Sequence, residues 1–263
     1  MFKNIDAEQI IIGDNVVIEP SASIKGMNGK AKRILIGDNV YIGNDVQILC
    51  DEFEILDYSK LHHHTNFHGS RPLTIGYNCW IGQYSIIDCM GGTSIGNNCG
   101  IGAHSQLWSH IRFGDTLEGC QYKSEAPLQI GNDVWFVGHC IVSPITAEDK
   151  SMALAGSVVT KKMEYNKIYA GTPAVCISDK IGNQFEAKTI ESKLEKMLGY
   201  LKEWGGDLKE IKIVTTSEEM NEGNTITYFN VNDRTYTKKQ SKAEISFMKF
   251  LLPYRAKFVP LST

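Results

Sequence analysis

The 263-residue chain contains no apolar run approaching the ~20 residues that a bilayer-spanning helix requires. Its opening residues, MFKNIDAEQI, lack the apolar stretch of a secretory signal. Neither charge sign is in marked excess, with 27 Lys+Arg against 30 Asp+Glu and a net charge of -3. That balance gives no electrostatic reason to expect nucleic acid or an anionic membrane as partner. There is no CxxC pair, and the seven cysteines are odd in number and scattered, so the pattern favours buried thiols over a disulfide framework. Together these absences lead to the expectation of a cytoplasmic protein in a reducing compartment.

What the chain does have is a beat of six. Isoleucine or a relative, often followed by glycine, recurs as Ile12-Gly13, Ile18, Ile24, then Ile36-Gly37, Ile42-Gly43, Ile48, then Ile75-Gly76, Ile81-Gly82, Ile87. It resumes at Ile95-Gly96, Ile101-Gly102, Leu107, and at Ile130-Gly131, Phe136, Val142. Four residues after each comes a small or β-branched residue, such as Val40, Val46, Cys79, Ser85, Cys99, Ser105, Val134 and Cys140. A period of 3.6 cannot produce this spacing, nor can simple strand alternation. A fixed hexad is the signature of a parallel β-helix, three hexads making one triangular coil.

Breaks in the beat fall at residues 25–35, 49–74 and 108–129, with a two-residue bulge at Gly91-Gly92 and a slip near Pro144 that makes Ala147, Ala153 and Val159 the last coil. About six coils result, and the interruptions are expected to protrude as loops on a binding face. After Ile181 the pattern changes. Residues 184–204 and 241–252 have helical apolar spacing, while 209–215, 225–231 and 234–237 read as strands. The expected organisation is thus a β-helix over 1–180 and a small α+β appendage over 181–263, which would cap the open solenoid end or recognise an acceptor.

Three segments carry a family resemblance: Ile130-Gly131-Asn132-Asp133-Val134-Trp135, Ala155-Gly156-Ser157-Val158-Val159-Thr160-Lys161-Lys162, and Ile168-Tyr169-Ala170-Gly171-Thr172-Pro173-Ala174. With a histidine-bearing loop upstream, they resemble the left-handed β-helix, hexapeptide-repeat acyltransferases, and within these the branch that acetylates sugars, nucleotide sugars and antibiotics. The resemblance implies a homotrimer, acetyl-CoA as co-substrate in a groove between neighbouring subunits, and a carbohydrate acceptor such as a polysaccharide unit.

Acyl transfer to a hydroxyl needs a general base, and histidine suits it because its pKa lies near operating pH. The resemblance places that base at His110, in Trp108-Ser109-His110 after Leu107, with an ordinary surface histidine as the rival reading. His104 and His139 occupy equivalent outward positions in their own hexads. Gly138, Ala155 and Gly156 are small where a pantetheine arm would lie against the wall, although tight turns explain the glycines equally well. Lys161 and Lys162 stand where the family puts a cation near the nucleotide phosphates. His62 and His64, with Arg112, Glu118 and Tyr122, offer hydrogen bonds to an acceptor sugar. The run His62-His63-His64 with His68 also suggests metal, but consecutive residues of a strand point to alternate faces and no third ligand is fixed, so no metal is expected. The alternatives are a metal-dependent hydro-lyase like the γ-type carbonic anhydrases and a non-catalytic hexapeptide-repeat scaffold.

Overall fold

The computed structural model describes residues 4–261. They form two compact units divided after residue 185. The first is a left-handed parallel β-helix. Its fourteen-stranded sheet supplies seven strands to each of two prism faces, joined through the long first strand Ile5–Ile12, and a nine-stranded sheet makes the remaining face. Pairing between coils is in register and parallel: Ile36, Ile55, Ile75, Ile95, Ile130 and Ala147 stack in one column, and Ile42, Leu61, Ile81, Ile101, Phe136 and Ala153 in the next. These inward side chains are essentially without solvent exposure. The second beat is buried with them, and its polar members work at the corners. Ser59 Oγ donates to the Gly76 carbonyl at 2.7 Å and accepts from Cys79 N–H at 2.9 Å.

The corners after the first and second inward columns turn through a left-handed residue three positions on, as at Asn39, Asp45, Asn78, Asn98, His104, Asp133 and His139. Asn and Asp tolerate this region because their side chains bond locally. One position earlier, a further column of Asx residues accepts backbone N–H groups from neighbouring coils: Asp38 from Asp14 at 2.6 Å, Asp57 from Asp38 at 2.9 Å, and Asn132 from Asn97 at 2.8 Å. The register after Pro144 follows the slipped reading, with Ala147, Ala153 and Val159 buried. Past them, Ile168–Gly171 extends the nine-stranded sheet, and Ala174–Cys176 folds back antiparallel on it, covering the strand edge.

Two of the expected interruptions are not protruding loops. Residues 25–35 are mostly strand, Ser23–Lys25 and Ala31–Ile36 being separated only by a short turn. Residues 49–74 are not a protruding loop but a regular coil, with strands Glu52–Ile55, Lys60–Leu61 and Asn66–Gly69 and inward residues Ile55, Leu61 and Phe67. Leucine and phenylalanine fill two of its inward places, and histidine, not glycine, follows both of them, which masks the isoleucine–glycine beat. There are therefore seven coils. The interruption at 108–129 does protrude: His110–Arg112 and Lys123–Glu125 form an antiparallel hairpin whose tip exposes Phe113 and Leu117 almost completely.

The second unit pairs Ile211–Val214, Thr227–Asn230, Thr235–Tyr236 and Val259–Pro260 in a four-stranded sheet. Its helices Ile190–Trp204 and Lys242–Leu251 are N-capped by Thr189 and Ser241, whose oxygens accept from Ser192 and Glu244 N–H. The core contains Phe229, Tyr236, Phe247 and Phe258. Burial pushes the Glu244 carboxyl up in pKa, against backbone hydrogen bonds from Lys239 and Gln240 and a side-chain one from Thr227.

Leu61→Ala tests the corrected coil. Truncation of a fully buried column member should lower stability by about 2–5 kcal/mol in urea denaturation, whereas a loop residue would cost within about 0.5 kcal/mol.

Candidate functional site

The side chain of Asp88 follows inward Ile87 and is wholly buried. Its Oδ2 accepts from Ser109 N–H at 2.9 Å and from Ser109 Oγ at 2.5 Å, and lies 2.8 Å from His110 Nδ1. Its Oδ1 accepts from Met90 N–H at 3.3 Å. Burial works to raise the Asp88 pKa, but the bonds from His110 and Ser109 outweigh it and hold the carboxyl below the usual carboxylate range. An ionised carboxylate only accepts, so His110 donates through Nδ1, and in the neutral ring the lone pair then lies on Nε2. The His110 side chain keeps 22% of its surface exposed, so the free nitrogen belongs to a ring that solvent still reaches.

The glycine bulge builds this arrangement. A Cβ on Gly91 would stand 2.3 Å from the Ser109 carbonyl oxygen and 2.5 Å from that of Ala126, so only glycine lets the two roots of the hairpin come so close. Gly91 N–H also donates to Ser109 Oγ at 2.9 Å, orienting the hydroxyl that bonds Asp88. Gly92 takes a φ of +89°. The bulge thus does more than shift the beat: it seats the loop that carries His110.

The other sequence-predicted residues are dispersed. His62 lies after the second-face strand, its ring 5.0 Å from Trp80 and its buried Nε2 without a hydrogen-bond partner. His64 turns the next corner, 3.6 Å from the Asp45 carboxylate. There it begins a stack, His64–Tyr84–His104–His139, with ring centroids 4.8, 5.0 and 4.8 Å apart. Gly156 continues that corner column with a φ of +74° and open space where a side chain would stand. Gly138 has a φ of +146°, so turn geometry accounts for both glycines, while Ala155 is exposed beside them. Arg112 bonds Glu125 across the hairpin at 3.2 Å, and Glu118 and Tyr122 lie exposed toward its tip. Lys162 is committed to Glu148, which raises its pKa, while Lys161 is exposed. Among the described residues no group of three or more His, Cys, Asp or Glu has metal-holding geometry, and no helix is long and apolar enough to cross a membrane.

Asp88 is the residue that sequence reasoning missed. The signal was there: a lone carboxylate in the apolar run Ile86-Ile87-Asp88-Cys89-Met90, just before the glycine bulge.

Comparison with known proteins agrees with the fold. The family described as the hexapeptide repeat of succinyl-transferase matches residues 72–103. Galactoside O-acetyltransferase of Escherichia coli (strain K12) is 41% identical over 54 residues, 20% of this chain and 27% of that protein. A putative acetyltransferase of Staphylococcus aureus (strain Mu50 / ATCC 700699) is 34% identical over 76 residues, 28% of this chain and 38% of that one. The chain therefore spans less than half the length of these relatives. The crystal structure of the polySia specific acetyltransferase NeuO matches with a TM-score of 0.56 at 17% identity, covering 74% of this chain and 94% of that chain, a likeness of fold alone. These matches accompany a left-handed β-helix built of hexapeptide repeats. The relatives it matches bear acetyltransferase names.

The electrostatics of Asp88 give a test that needs no substrate. Because its folded-state pKa is depressed, its charge stabilises the fold at pH above the ordinary Asp value of ~3.9, and that contribution disappears as pH falls through the lower folded value. Asp88→Asn should therefore melt below the native protein at pH 7, and the difference should narrow as the pH approaches ~3. A difference unchanged with pH would mean that the carboxylate's charge adds nothing.

Proposed function

We propose that the chain is an acetyl-CoA-dependent O- or N-acetyltransferase that modifies a carbohydrate. The observation that carries this reading is the buried Asp88 carboxylate orienting His110 at the root of a protruding hairpin. Acetyl-CoA supplies the thioester carbonyl as co-substrate. His110 takes the proton of the acceptor hydroxyl at Nε2 as that oxygen attacks, and the same nitrogen returns it to the departing thiol. Asp88 fixes the tautomer and steadies the imidazolium formed in between. Direct attack of this kind needs no acyl-enzyme. Site contributions worth about 10²–10⁴ in rate come from such a base.

We assign the pantetheine wall to Gly138, Ala155 and Gly156, where Gly156 ends the aromatic corner column with open space, and the phosphates to Lys161. Lys162 serves there only by exchanging its bond to Glu148. Arg112, Glu118, Tyr122, His62 and His64 are assigned to the acceptor. The matched names, galactoside O-acetyltransferase and polySia specific acetyltransferase, support a sugar or polymeric glycan. We further assign the protein to the cytoplasm, on its scattered thiols, and to a homotrimer with sites between subunits, as the resemblance implies.

Calorimetric titration of acetyl-CoA into the native protein and His110→Ala should show binding to both. Thiol release with a panel of sugars, nucleotide sugars and oligosaccharides should fall by about 10²-fold or more in the variant. Absence of acetyl-CoA binding to either protein would overturn the assignment.

A further inference from the structure

The run of four histidines in the third coil separates into two places. His62, His63 and His64 line a corner, but His68 belongs to the strand Asn66–Gly69 and is the register partner of Asp88 in the coil beneath. Its Nε2 lies 3.4 Å from Asp88 Oδ1, on the opposite oxygen from His110. The two imidazoles flank the indole of Trp108 almost alike, with centroids 6.2 and 6.4 Å from it and both planes inclined by 71°. A single buried carboxylate therefore faces two imidazoles, one on each oxygen.

One negative charge can fully offset only one imidazolium. A proton on His68 draws on the charge of Asp88 and opposes a second proton on His110, so the pair and its carboxylate bind protons as one system. Among the described residues, the other ionisable groups near the cluster include the buried Cys50 thiol, 3.5 Å from Cys89 and under the Asp88 charge. Glu125, the register partner of His110, is bonded to Arg112, Arg71 lies in the turn beyond His68, and the neighbouring Cys89 is a buried thiol.

We propose that His68 is a positioning residue for the transfer reaction: it shares the Asp88 carboxylate with His110 and so keeps His110 proton-accepting at lower pH than Asp88 alone would allow. The proposal rests on the reading of His110 as the base. The sign follows directly. With His68 present, a proton on its ring draws on the Asp88 charge that would otherwise serve His110 alone. Without His68 the whole carboxylate charge stabilises protonated His110, which then takes up its proton at higher pH and loses its base function sooner on acidification.

The test uses His68→Ala and His68→Gln, the latter keeping a polar donor of similar reach without a titrating group. The pH dependence of His110 carbethoxylation by diethyl pyrocarbonate, read by peptide mass spectrometry, reports the neutral imidazole with no substrate present. In both variants the half-maximal pH for His110 should rise by about half a pH unit, and the acid limb of thiol release should move the same way with the acceptor KM little changed. A half-maximal pH equal to that of wild type in His68→Gln overturns the proposal, as does a pH-independent fall in kcat or a rise in acceptor KM alone. If wild type fails to turn over any acceptor, the transferase reading falls, while the His110 reactivity still decides whether His68 shares Asp88.

Discussion

Every position in this solenoid is answerable to the same position one coil away. Parallel strands in register lie about 4.8 Å apart, so a residue type that suits one coil must tolerate its own kind directly above and below. Isoleucine, leucine, valine and phenylalanine satisfy that demand inside the prism, where they stack without solvent exposure. Asparagine and aspartate satisfy it at the corners by accepting the N–H of the neighbouring coil. Along one corner the solution is aromatic, and His64, Tyr84, His104 and His139 stack like coins with successive planes within 14° of each other. A histidine in such a column is explained by its neighbours above and below before any chemistry is invoked.

The candidate site arises where that rule is broken. Between the fifth and sixth coils the chain leaves the wall for the hairpin, and Gly91 permits the backbone of the departing and returning segments to close over Asp88. A side chain that would otherwise face solvent from the outside of a strand becomes wholly buried. The solenoid contributes rigidity and the interruption contributes enclosure. Neither would hold His110 alone.

Periodicity made the architecture legible wherever isoleucine and glycine repeated, and the slip after Pro144 could be read from Ala147, Ala153 and Val159. Legibility ended where the chemistry of a position was kept but its letters changed. Leu61 and Phe67 fill the prism as well as isoleucine does, yet without following glycines they concealed a coil. His110 could be placed by resemblance. Asp88 could not, because its importance depends on contacts with residues 21 and 22 positions away that only folding brings together. Lys162 shows what spacing leaves out: its ion pair with Glu148 joins residues that only folding brings together.

The column to which Asp88 belongs also argues for function over stability. Its register mates on the same face are Lys25, Leu49 and His68, a set that imposes no carboxylate. A buried ionised group costs several kcal/mol in desolvation before its hydrogen bonds offset that loss, and an apolar residue such as Leu49 in the same column incurs no such cost. Three of the contacts that stabilise Asp88 come from Ser109 and His110, the first residues of the excursion, and Gly91 is spent on aiming the serine. A fold selected only for stacking has no need of this arrangement, whereas a base that must hold one tautomer does. Perturbed carboxylates with such partners concentrate at functional sites, and in this chain the carboxylate takes its partners from the glycine bulge and the hairpin root while an imidazole stands at each of its oxygens.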